Sequence, residues 1–106
     1  MKRYKKYAKY WYPHVVTLIR MYPGDFDESE KSDEAKQAIS NVIYRTINEQ
    51  DGVDKIKAVY QIYITDRKTA DGVARELYVS KRTVETWVHD FIYGVARELG
   101  YIGNQK

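Results

Sequence analysis

The chain of 106 residues has no cysteine, two prolines, six glycines and two histidines. Without thiols it has no disulfide framework and no thiolate metal site. His14 and His89 lie far apart in sequence, and neither has a second histidine at ligand spacing. A glycine-rich phosphate loop is also missing, so the residues support neither catalysis nor a cofactor. The longest apolar runs are only a few residues, well short of a membrane span. The basic start is not followed by the apolar core of a signal peptide. The expectation is a cytoplasmic protein with no enzymatic role, no bound metal and no membrane contact. Sparse proline and glycine favour helices. No segment alternates convincingly as a strand, although residues 60–65, YQIYIT, are β-prone by composition.

What is present fits one domain with a small core. Hydrophobic residues at 43% and charged residues at 31% are ordinary for a soluble globular chain, so composition alone singles out no special class. The net charge of +3 hides a strong asymmetry. Residues 1–22 carry Lys2, Arg3, Lys5, Lys6, Lys9 and Arg20 with no acid, whereas residues 25–34 carry Asp25, Asp27, Glu28, Glu30, Asp33 and Glu34 against Lys31 alone. Such local fields steer partners, and the basic end suits an acidic one such as nucleic acid, or is simply a solvated tail.

The apolar spacing predicts an all-α chain of about five helices. Pro13 suits the first turn of a helix containing Val15, Val16, Leu18, Ile19 and Met21, ended by Pro23-Gly24. After the acidic loop, Ser32 is a good N-cap, with Asp33 and Glu34 in the first turn. Ala35, Ala38, Ile39, Val42, Ile43 and Thr46 give that helix one apolar face up to about Gln50, where Asp51-Gly52 turns the chain. Val53, Ile56, Val59, Tyr60 and Tyr63 form the inward stripe of a third helix that stops near Thr65. Residues 70–77 and 81–99 supply the last two, with Gly100 as a left-handed cap and Tyr101 folding back on the final turn. The division is residues 1–66 as an N-terminal helical region and 67–106 as a helix-turn-helix, together one unit.

The last pair carries the functional signal. A helix-turn-helix needs a small residue where its helices cross, and Ala74 supplies it. Val73 and Leu77 complete the inner face, Val79 plugs the turn, and Val84 and Trp87 anchor the second helix. Ser80 is placed to cap that helix. Its free N–H groups, with Lys81 and Arg82, suit phosphate. The outward face carries Arg82, Thr83, Glu85, Thr86, His89 and Asp90. Arg82 suits guanine edges, and Thr83 or Thr86 a base edge or a thymine methyl. Glu85 suits cytosine or orients Arg82. Arg75 and Lys81 suit phosphate. From Lys81 to Tyr93 the helix spans about 20 Å, enough to lie along a groove. Glu85 and Asp90 dilute the positive charge, so further phosphate contacts are expected from the basic N-terminus or from Arg67 and Lys68. Tyr78 occupies a turn position that is often glycine. If it must be left-handed, it costs roughly 1 kcal/mol or more.

Two other stretches stay open. YKKYAKYWY interleaves bases and aromatics, and suits either stacking on unpaired bases or a helix whose Tyr4, Tyr7, Tyr10 and Trp11 pack on the core or a partner. The acidic run 25–34 lacks the alternating oxygens and central glycine of a calcium loop and reads as a solvated linker.

SKRTVETWVHDFIYGVARELG resembles the C-terminal helix-turn-helix of the ArpU/RinA-like phage regulators, itself similar to region four of bacterial sigma factors. The shared pattern is a scaffold helix, GVAREL, then V-S-x-R-T-V, then a long amphipathic helix ending in ARELG. WYPHVVTLI, KSDEAKQAISNVIYRTI and VDKIKAVYQIYI follow the same order as that family's earlier helices. The resemblance implies a transcription activator of phage or prophage late genes. It also implies a double-stranded promoter DNA target and contact with bacterial RNA polymerase, for which residues 25–34 are a candidate surface. It assigns Ser80, Lys81, Arg82, Thr83, Glu85, Thr86 and His89 to the DNA-facing surface. Two alternatives remain: a small terminase subunit or other DNA-packaging factor, which predicts a homo-oligomeric ring, and a protein-interaction module that does not use DNA.

Overall fold

The computed structural model describes the backbone of residues 2–22, 30–65 and 68–102, and the side chains of 10–22, 33–65 and 68–102. Five helices follow in order: α1 (Lys2–Met21), α2 (Glu30–Ile47), α3 (Gly52–Val59), α4 (Ala70–Leu77) and α5 (Lys81–Glu98), with no strand among the described residues. The all-α expectation therefore holds. Helix α5 packs against each of the other four. Fully buried Val15, Ile19, Ile39, Val59, Val73, Val84, Ile92 and Val95 draw every helix into one core. No helix among the described residues is long and apolar enough to cross a membrane.

Helix α1 starts well before Pro13 and carries the proline in its interior. The expectation of a first-turn proline is corrected here, and the YKKYAKYWY segment is part of the same helix. An interior proline removes one hydrogen bond and costs about 3 kcal/mol. The compensation is visible in the packing: Trp11, Val15 and Ile19, at steps of four, are all buried. Pro13 itself is exposed, so water can replace the lost bond.

Helix α2 begins at Glu30, which puts Ser32 inside the helix and not at its cap, and it ends at Ile47 instead of near Gln50. Ala35, Ala38, Ile39 and Val42 are buried as their spacing predicts. Asp51 takes the left-handed conformation, φ 61°, which aspartate tolerates better than most residues. Gly52 is needed for room: a Cβ there would lie 2.3 Å from the Thr46 carbonyl oxygen. The early stripe of α3 is corrected at one position, because Val53 sits on the first turn and is 66% exposed. Ile56, Ala58 and Val59 take the buried side.

Past Val59 the chain widens into a π-helical turn, Tyr60–Ile64, closed by Thr65 N–H donating to the Tyr60 carbonyl at 2.7 Å. The wider turn lets three consecutive residues, Ile62, Tyr63 and Ile64, pack against the core. Helix α5 ends on Gly100, φ 86°. Tyr101 N–H donates to Ala96 and Gly100 N–H to Arg97, a Schellman arrangement. Tyr101 thus folds back on the final turn through its backbone, and its ring meets His14 of α1 edge-on at 5.8 Å. Pro23-Gly24 and residues 25–29 of the acidic loop lie outside the described residues.

Candidate nucleic-acid interface

Helices α4 and α5 form a capped pair. Thr69, in an extended conformation, caps α4 by accepting the Gly72 N–H at 3.2 Å. Thr69 is absent from the expected caps, although threonine directly before ADGVAREL is a recognisable N-cap signal. Helix α4 closes on Tyr78, whose φ of 60° is left-handed. The Val79 N–H then donates to the Ala74 carbonyl at 3.0 Å. Val73, Ala74 and Val84 are buried, and Leu77, Val79 and Trp87 pack partly buried against them. Each apolar slot of the motif is thus occupied. Val88, Phe91, Ile92, Val95 and Ala96 continue the buried face of α5. Their spacing of three and four from Val84 was readable in the sequence.

Ser80 is extended, φ −77° and ψ 155°, and its Oγ accepts the Thr83 N–H at 3.0 Å. The Thr83 Oγ1 lies 2.9 Å from the same oxygen. The Thr83 hydroxyl is therefore engaged in the cap, and the residue is half-buried. Thr86 is the more exposed of the two threonines.

Arg75, Ser80, Lys81, Arg82, Glu85, Thr86, His89 and Asp90 are exposed. Arg82, Glu85, Thr86 and His89 recur at steps of three, one and three, which places them on one open face about 10 Å long. The far end of this face is walled by aromatics. The Tyr12 hydroxyl of α1 lies 3.3 Å from His89 Nδ1. The Tyr12 and His89 rings are 5.7 Å apart, and Trp11 meets Tyr93 edge-on at 5.2 Å. Burial, reinforced by Tyr63 and Tyr93, pushes the Tyr12 hydroxyl up to about 12, so it stays protonated and able to donate at neutral pH.

The cations divide into paired and open groups. Lys68, an expected phosphate ligand, is exposed but donates to Glu76 at 2.8 Å. Glu76 is held below the usual carboxylate range, first by that hydrogen bond, with Lys57 and Gln61 adding to it. Lys68 thus ties the chain entering α4 to α4 itself. Arg67 lies outside the described residues. Along one flank of α5, a groove of ≈ 530 Å³ between α2, α3 and α5 includes Arg45, Lys55, Trp87 and Arg97 in its lining and reaches His89 and Asp90 at the edge of the open face. Two of its cations are already paired, Arg45 with Glu98 and Lys55 with Glu49. No group of three or more histidine, aspartate or glutamate side chains suited to a metal ion occurs among the described residues. Comparison with family models, with curated proteins and with solved structures found no match.

Proposed function

We propose that the chain is a sequence-specific double-stranded DNA-binding protein that reads the major groove with α5. The observation that carries this reading is the capped α4–α5 pair. Its buried seam fixes the second helix, while Lys81, Arg82, Glu85 and Thr86 at the start of that helix stay solvent-facing. Side chains near the N-terminus of such a helix reach furthest into the groove. Arg82 is the base-reading side chain, suited to bidentate contact with guanine. Arg75 and Lys81 hold phosphates beside it, and the uncapped N–H groups at the start of α5 add to them. Activation of phage or prophage late genes, with contact to RNA polymerase, is the role we assign from the resemblance of residues 80–100 to the ArpU/RinA-like regulators.

The test begins by selecting a preferred duplex from a random pool and measuring its affinity at fixed salt. Arg82→Ala should weaken binding to it by roughly 1–3 kcal/mol and relax preference at one base position. Equal affinity and unchanged preference in the variant would remove Arg82 from the role.

A further inference from the structure

His89 is exposed, yet its ring is held. Tyr12 of α1, His89 and Tyr93 form a triangle of rings. Their centroids are 5.7 Å apart from Tyr12 to His89, 6.3 Å from His89 to Tyr93 and 6.3 Å from Tyr12 to Tyr93. Buried Trp11 backs the triangle, edge-on to Tyr93. The half-buried Tyr12 adds a hold on one atom, since its hydroxyl lies 3.3 Å from His89 Nδ1. That hydroxyl stays protonated at neutral pH, so it can donate to Nδ1. A neutral imidazole carries one N–H, and the nitrogen that accepts from a hydroxyl is the bare one. The proton then sits on Nε2. When the ring gains a second proton, Nδ1–H donates to the same phenol oxygen, and Nε2 keeps its own. Nε2 is thus a donor in either form, on a side chain fixed at the edge of the open face of α5.

We propose that Tyr12 is a positioning residue for His89, holding its Nε2–H outward as a donor to a backbone phosphate of the duplex that α5 reads. This inference rests on the DNA-binding reading above. The acceptor follows from place. Base edges are met by side chains near the start of a reading helix. His89 stands eight residues beyond Lys81, about 12 Å along α5, where the sugar-phosphate wall of the groove is the nearer partner. Contacts of this kind fix position and strength of binding without selecting sequence. A ring that is already held loses less freedom on binding than a loose one. Tyr12 therefore acts through His89 and touches no DNA itself.

Two measurements on the full chain test it, both at about pH 8, where a histidine of ordinary pKa is neutral. Ring ¹⁵N spectroscopy of the free protein reads which nitrogen of His89 holds the proton. The wild-type protein should show the Nε2–H form, and Tyr12→Phe, which keeps the ring and loses only the hydroxyl, should shift toward a mixture. A wild-type protein in the Nδ1–H form would overturn the proposal whatever the protein binds. The second measurement is a double-mutant cycle of affinity at fixed salt, on the selected duplex and on one of scrambled sequence. His89→Ala should weaken both duplexes by the same factor, roughly 2- to 10-fold, the worth of one hydrogen bond. Tyr12→Phe should weaken both about threefold in the wild-type background and not at all beside His89→Ala. An equal loss in the two backgrounds would show that Tyr12 acts on the fold or on DNA directly, and would overturn the proposal. So would a Tyr12→Phe variant that binds as tightly as the wild-type protein, with the reading of α5 left standing. A loss confined to the selected duplex would place His89 on a base edge and overturn the phosphate assignment. A wild-type protein that binds neither duplex even at low salt would overturn the DNA-binding reading itself.

Discussion

Replacing Tyr78 by glycine should stabilise the protein. Tyr78 is the left-handed residue between α4 and α5, φ 60°, and its side chain is 94% exposed. The left-handed conformation costs a side-chain-bearing residue roughly 1–2 kcal/mol. Glycine removes that cost but loses about 0.5–1 kcal/mol of additional backbone entropy on folding. Because the ring is so exposed, its removal forfeits almost no burial. The balance is a gain of about 0.5–1 kcal/mol, or roughly 3–6 °C in melting temperature for a domain of this size. Thermal unfolding followed by circular dichroism or calorimetry measures it. Tyr78→Ala is the control, because it removes the ring but keeps the strained conformation, and it should leave the melting temperature nearly unchanged. A Tyr78→Gly variant that melts lower than the wild-type protein would refute the reasoning. So would a gain of equal size in the alanine variant, since the ring and not the backbone would then be the cause.

Four further outcomes follow from the packing, the caps and one ion pair. Gly52→Ala should cost about 2–3 kcal/mol in urea unfolding, because its Cβ would meet immobile backbone oxygens of Thr46 and Ile47. Gly94→Ala should cost far less, since its Cβ would press only on the Val42 side chain at 3.2 Å and a helix gains from alanine. Ser80→Ala should lose about 1 kcal/mol in the same assay, because the Thr83 N–H loses its acceptor. Glu98 is held below the usual carboxylate range, first by the Arg45 hydrogen bond and then by Asn41. Its ionised form is favoured by folding, so the contribution is complete above the unfolded value of about 4.3 and disappears as pH falls through the depressed folded value. The stability difference between wild type and Glu98→Gln should therefore be flat at neutral pH and vanish in acid. Its size should be under about 1 kcal/mol because the pair faces solvent.

Much of the helical pair was readable because its determinants are local. Ala74, Val79, Ser80 and Val84 lie within eleven residues of one another, and each fills a slot set by short-range geometry. The long helices and the Gly100 cap were legible for the same reason. The misplacements share a different cause. Pro13 marks a helix start by local preference, yet Trp11, Val15 and Ile19 bury on α5 and its neighbours and carry the helix through the proline. Val53 fits an apolar stripe by spacing, yet α3 starts only one residue earlier, and Val53 points to solvent on its first turn. The π-helical turn then alters the residue spacing beyond Val59, which no 3.6-residue pattern anticipates. At the candidate site, the Thr83 hydroxyl lies 2.9 Å from the Ser80 cap oxygen, a contact that helical register alone does not announce. The Tyr12–His89 contact joins residues 77 apart in sequence and leaves no local trace.

Helix α5 is at once the keel of the molecule and its proposed reading head. Its inner side touches all four other helices, while Arg82, Glu85 and Thr86 on its outer side stand exposed. Folding and recognition are therefore written on the same eighteen residues but in separate registers. The outer letters can be exchanged with little effect on the fold, which makes them the positions through which a new target sequence would be acquired. The inner letters permit no such freedom: a change at Val84, Val88 or Ile92 would tilt the reading head together with every helix that rests on it.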